Sequence, residues 1–177
     1  MKNVVLIGFM GTGKTSTGRL LAGRLGRPFI DIDRKIEQEE GLAISEIFTR
    51  RGEAYFRAKE KDTIARVARK RRAIIATGGG VVLDPDNMER LRASGVIICL
   101  TASVAVILER TGRRTTRPLL ARPDREEIVA RLMAEREPLY AAADFTVDTS
   151  GLSPRLVTEK IIAYLRQEGH INGRSQR

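Results

Sequence analysis

The chain is poor in the residues that build disulfides, zinc sites and stacking platforms. It holds one cysteine (Cys99), one histidine (His170) and only 5% aromatics in 177 residues. A single cysteine closes no internal disulfide. A thiol inside the apolar run Gly95-Val96-Ile97-Ile98-Cys99-Leu100 reads as a small core residue and suits a reducing compartment. One cysteine and one histidine exclude a His/Cys zinc site. No apolar run approaches the ~18 residues of a membrane span, and Val4-Val5-Leu6-Ile7 is too short for a secretory apolar segment. The expectation is a cytoplasmic protein with no membrane partner. Acidic residues are also in deficit, 22 against 32 lysines and arginines, for a net charge of +10. Such an excess fits nucleic-acid binding, or an enzyme that holds polyanionic small molecules. The densest run, Arg66 to Arg72, lies where a helix should end, and cations there complement the helix dipole. No aromatics interleave it, which argues against a base-stacking surface and against a nucleic-acid partner.

What is present is an ordinary globular composition, 42% apolar and 31% charged. Short apolar strands, at 3–7, 28–32, 73–76, 95–100 and 145–148, alternate with helical patterns at 14–25, 34–40, 44–50, 53–71, 86–93, 103–111, 124–141 and 154–167. That alternation predicts an α/β layer fold with a mostly parallel sheet. Asp84-Pro85 and Ser153-Pro154 each read as an N-cap followed by proline at the first helical position. Residues 1–168 form one expected domain, and the polar stretch 169–177 is expected to fray. Residues 112–123 carry four arginines and two prolines with no helix or strand period. They read as a lid or as a surface loop.

The sharpest signal is Gly8-Phe9-Met10-Gly11-Thr12-Gly13-Lys14-Thr15, a match to GxxxxGK[ST]. A β-like run precedes it and a helical pattern follows. Glycines let successive N–H groups point at phosphate oxygens, and the helix N-terminus adds partial positive charge. Lys14 reaches the β- and γ-phosphates, and the Thr15 hydroxyl suits Mg²⁺. This is a nucleotide site that by itself names no acceptor.

Other residues bear on the acceptor. Asp31-Ile32-Asp33 ends a strand, where ligands of open α/β sheets sit. Strand alternation would place both carboxylates on one side, although Asp33 could equally cap the next helix. Thr77-Gly78-Gly79-Gly80 follows another strand, as a ligand-contacting backbone or a flexible turn. Arg57 and Arg136 could be surface residues, or could together grip a carboxylate through their planar forks.

In these motifs, their order and their spacing, the chain resembles the shikimate kinases over about residues 4 to 165. The resemblance rests on Gly8 to Thr15, Asp31 and Asp33, Phe56-Arg57 with Glu60, Gly78-Gly79-Gly80, Arg117-Pro118-Leu119-Leu120, and Arg136 with Pro138-Leu139-Tyr140. It implies a three-layer P-loop fold of the nucleoside-monophosphate-kinase type, with a five-stranded parallel sheet. It implies ATP-dependent phosphorylation of the 3-hydroxyl of shikimate, with shikimate and ATP as ligands, Mg²⁺ as cofactor and a monomeric enzyme. The implied acceptor segment is about 33–61 and the lid 112–123. Asp33 would hold the shikimate hydroxyls and accept the proton. Arg57 and Arg136 would bind the carboxylate, with Gly79 and Gly80 against the ring. Gly11, Thr12, Gly13, Lys14, Thr15 and Ser16 would cradle ATP phosphates, and Arg117 would descend from the lid. Arg110 and Pro154 would flank the adenine. Thr15 would ligate the metal, with Asp31 acting through water.

Two departures stand out. Leu152 occupies a place near the adenine where the family often has a polar or basic residue. Ala43 stands where the family starts a helix with a hydroxyl cap, an expected loss of about 1 kcal/mol. Kinases of gluconate or of nucleoside monophosphates lack this combination of Asp-x-Asp, triple glycine and paired arginines.

Overall fold

The computed structural model describes residues 2–112 and 124–171. Five strands, β1 (Asn3–Ile7), β2 (Phe29–Asp31), β3 (Ile74–Ala76), β4 (Gly95–Thr101) and β5 (Phe145–Asp148), form one sheet in the order β2-β3-β1-β4-β5. Every pairing is parallel. A parallel sheet is covered on both faces, so its central strands must be apolar throughout. β1 meets that demand with every residue buried. Its alternation divides the core: Val5 and Ile7 join Ile75, Ile97 and Cys99 on one face, while Val4 and Leu6 join Ile74, Ile98, Leu100 and Val147 on the other.

Two helices, α1 (Lys14–Leu25) and α8 (Pro154–Gln167), cover the second face through Leu21, Val157, Ile161 and Leu165. The first face carries α2 (Ile32–Glu40), α3 (Ile44–Arg51), α4 (Glu53–Val67), a short 3₁₀ turn (Val81–Leu83), α5 (Pro85–Ser94), α6 (Val104–Gly112) and α7 (Arg125–Tyr140). The expected three-layer parallel architecture is therefore present. Asn3 fixes the start of the sheet. Its buried amide donates to the Lys70 carbonyl at 2.8 Å and accepts the Ala73 N–H at 2.9 Å.

Boundaries moved for identifiable reasons. The strand expected at 28–32 is only three residues long, because Ile32 already belongs to a helix capped by Asp31. The helix expected to reach residue 71 ends at Val67, so the basic run follows it. Both proline-led helices begin as expected: Asp84 accepts the Asp86 N–H and Ser153 accepts the Leu156 N–H. Helix α3 compensates for Ala43 with two borrowed carboxylates. Glu46 accepts the Ala43 N–H at 3.2 Å, and Glu37 of α2 accepts the Ile44 N–H at 3.0 Å. In the tail expected to fray from residue 169, Ile171 is buried in the second core and His170 N–H donates to the Leu165 carbonyl at 2.8 Å; residues 172–177 lie outside the described residues. An apolar residue within that polar stretch found a hydrophobic seat.

Because all strands run one way, their C-terminal ends gather at one edge of the sheet. The P-loop, Asp31, Thr77–Gly80, Ala102 and Thr149 follow the five ends in turn.

Candidate active site

The phosphate half is built by the turn from β1 to α1. Gly8 has φ 140°, and a Cβ there would strike the Leu100 carbonyl. Only glycine permits that conformation and that approach. The Thr12 hydroxyl donates to the Phe9 carbonyl at 2.8 Å and stiffens the loop. Helix α1 opens at Lys14 behind Gly13, with no side-chain cap, so its first N–H groups and their partial positive charge are available to an anion. The Lys14 ammonium lies along the loop, donating to the Gly8 and Phe9 carbonyls at 2.6 and 2.8 Å.

The Asp31 carboxylate joins this half to the next. One oxygen accepts the Thr15 hydroxyl at 2.8 Å; the other caps α2 by accepting the Arg34 N–H at 3.2 Å. This corrects two expectations. Asp31, not Asp33, is the helix cap, and Asp33 sits in the first turn of α2 instead of on the strand with Asp31.

The adenine-side expectation concerned Arg110 and Pro154. Arg110 donates to the Gly11 carbonyl at 3.2 Å, to the Thr149 hydroxyl at 2.9 Å and to the Thr149 carbonyl at 2.7 Å. The guanidinium thus ties the P-loop to the turn that leads into Pro154 at the start of α8. Thr149 is itself a junction: its hydroxyl also donates toward the Thr12 and Thr101 carbonyls at 3.1 and 3.0 Å. Arg117 and residues 113–123 of the expected lid lie outside the described residues.

The acceptor half converges on Gly78-Gly79-Gly80. None of the three has a positive φ, so their value is space. A Cβ on Gly78 would lie 2.8 Å from Asp33 Oδ1 and 3.1 Å from Glu60 Oε2. On Gly80 it would lie 2.7 Å from the Arg57 Nη1. On Gly79 it would press on the Met10 nitrogen at 3.3 Å. The triple glycine admits the protein's own carboxylates, its guanidinium and its P-loop. Arg136, on α7, donates to the Gly79 carbonyl at 3.3 Å and lies 5.5 Å from the Phe9 ring centroid. Asp33, Arg57 and Arg136 are therefore brought to one loop, and that loop runs close beside the P-loop.

Sequence reasoning assigned no role to Glu60, although it is only 1% exposed in the middle of this cluster. One oxygen accepts Arg57 Nη1 at 2.9 Å; the other, Oε2, is buried without a hydrogen-bond partner. Burial pushes the Glu60 carboxyl above its ordinary value; Arg57 pulls it back, and Asp33 and Asp84 push it further up. The folded protein thus holds this proton more tightly than the unfolded chain does. Its contribution favours folding below the ordinary carboxylate range and is lost as pH rises through the raised value. Glu60→Gln cannot ionise. Melting curves from about pH 4 to pH 8 should show the variant gaining on the wild type as pH rises. Curves that stay parallel would remove the raised carboxyl.

Comparisons with known proteins identify the family. The family model for shikimate kinase matches residues 10–166. The shikimate kinase of Thermodesulfovibrio yellowstonii is 54% identical over 92% of this chain and 94% of its own. That of Pelotomaculum thermopropionicum is 46% identical over 97% and 99%. Among solved structures, shikimate kinase from Acinetobacter baumannii in complex with shikimate superposes with a TM-score of 0.92 at 36% identity, covering 95% of this chain and 94% of that one. With its phosphate loop, its paired arginines and these relatives along almost the whole length, the chain belongs to the shikimate kinase family.

Proposed function

We propose that this protein transfers the γ-phosphoryl group of ATP to the 3-hydroxyl of shikimate, giving shikimate 3-phosphate and ADP on the way to chorismate and the aromatic amino acids. One observation carries the reading. The glycine loop that receives Asp33, Arg57 and Arg136 runs so close to the P-loop that a Cβ on Gly79 would come within 3.3 Å of the Met10 nitrogen, so an acceptor on that loop lies beside the phosphates.

Phosphoryl transfer asks for positioning and charge neutralisation more than covalent chemistry. The P-loop amides and Lys14 hold the phosphate tail, together with Gly11, Thr12, Gly13, Thr15 and Ser16. Arg57 and Arg136 clasp the shikimate carboxylate with bidentate donors, and Gly79 and Gly80 meet the ring. Asp33 orients the 3-hydroxyl and takes its proton. The 3-oxygen forms its bond to the γ-phosphorus as the bond to the β,γ-bridging oxygen breaks, and ADP leaves. Arg110 and Pro154 face the base, and Arg117 is assigned to the lid over the phosphates.

The residues fit Mg²⁺. A Thr15 hydroxyl and an Asp31 carboxylate 2.8 Å apart at the P-loop are hard oxygen donors, few in number, as Mg²⁺ with phosphate ligands requires. Thr15 would bind the ion directly and Asp31 through water; when bound, it would neutralise phosphate charge. No helix among the described residues is long and apolar enough to cross a membrane. A cytoplasmic setting fits a biosynthetic kinase whose one cysteine, Cys99, is a buried free thiol.

The test is an ADP-release assay with magnesium and ATP across shikimate, gluconate and nucleoside monophosphates. ADP should appear with shikimate alone, matched by shikimate 3-phosphate. Release with gluconate or a nucleotide and none with shikimate would overturn the reading.

A further inference from the structure

Tyr140 closes α7 and is buried, with its hydroxyl donating to the Gly79 carbonyl at 2.8 Å. Arg136 lies four residues earlier, which on a helix places both side chains on one face. Its Nη1 donates to the same carbonyl at 3.3 Å. One carbonyl oxygen with two lone pairs is thus shared by a short bond from a phenol and a long one from a guanidinium. Burial pushes the Tyr140 phenol up to about 12, so it keeps its proton and remains a donor.

The sharing has a consequence for the acceptor site. The Gly79–Gly80 peptide is trans, so its N–H runs antiparallel to the clamped carbonyl. Holding the oxygen fixes the direction of the Gly80 N–H beside Arg57. Arg136, for its part, is free to turn from Gly79 toward a carboxylate when the acceptor binds, since its bond to the carbonyl is the longer of the two. It can do so without orphaning a carbonyl because Tyr140 stays.

We propose that Tyr140 is a positioning residue for the acceptor: its hydroxyl fixes the Gly79–Gly80 peptide and releases Arg136 to grip the substrate carboxylate. The inference rests on the reading of the site given above. Without the hydroxyl, either Arg136 stays on Gly79 and the carboxylate is gripped poorly, or Arg136 leaves and the carbonyl loses its other donor among the described residues. Both losses fall on acceptor binding.

Tyr140→Phe tests this, since the ring that fills the core is retained. The KM for shikimate should rise about tenfold, the range of one lost hydrogen bond. The KM for ATP and kcat should stay within about twofold of wild type. The thermal shift produced by shikimate alone should shrink as well, an arm independent of turnover. A shikimate KM within twofold of wild type overturns the proposal, as does an equal rise in both KM values, which would mark a general loosening. If the wild type leaves shikimate unmodified, the functional reading fails first and takes this inference with it.

Discussion

Asp33→Asn is expected to lower phosphoryl transfer to shikimate by about a thousandfold while ATP binds as before; general-base removal typically reaches 10²- to 10⁴-fold. Asparagine keeps the shape of the side chain and its ability to hold a hydroxyl, but it cannot take the proton of the 3-hydroxyl. The substitution leaves the Asp31–Thr15 pair and the cap of α2 in place, because Asp31 carries both. The loss should therefore appear in kcat, with the ATP dissociation constant measured by titration unchanged. Turnover within about tenfold of wild type would remove Asp33 from proton transfer.

Gly80→Ala should damage the acceptor half alone. Gly80 has φ −94°, a conformation that alanine adopts without strain, so the backbone has no reason to move. The new Cβ would stand 2.7 Å from Nη1 and 2.8 Å from Cζ of Arg57. A guanidinium is the far end of a flexible side chain, and it will swing aside. A charge-assisted contact is worth about 1.5–3 kcal/mol, so the shikimate KM should rise roughly 10- to 150-fold. ATP affinity should hold, while the melting temperature falls, because the displaced guanidinium no longer reaches the buried Glu60 carboxyl. Steady-state kinetics in both substrates decides it: a rise in the ATP KM of the same size would show that the P-loop had shifted instead.

The phosphate half could be read from the sequence because its chemistry is contiguous. Eight successive residues make the loop, and the strand before it and the helix after it have clear periods. The parallel sheet was readable for a similar reason, since β1 and β4 are apolar on both faces. The acceptor half was harder. A three-residue strand offers no alternation to test, so the sequence leaves Asp33 open between a place beside Asp31 and the cap of the next helix. The cap of α2 depends on an aspartate that is also held by Thr15, sixteen residues earlier. The triple glycine looked like space for a ligand. Its actual neighbours, Asp33, Glu60 and Arg57, come from α2 and α4 and are recognisable only once those helices pack. Thr149 left no signal at all: a lone threonine whose partners, the Arg110 guanidinium and the Thr12 and Thr101 carbonyls, lie far away in the chain. Ala43 shows the opposite case. The missing cap was evident, while its replacement by Glu37 and Glu46 needed the α2–α3 turn to bring a carboxylate over.

The close approach of Gly79 to the P-loop has one more consequence. A Cβ at Gly79 would already be tight against the Met10 nitrogen, so a shift of the acceptor loop presses on the phosphate loop and the reverse. Thermodynamic linkage then obliges any change that nucleotide makes in shikimate affinity to be matched, factor for factor, by the change shikimate makes in nucleotide affinity. The two substrates are neighbours that must read each other through a common wall.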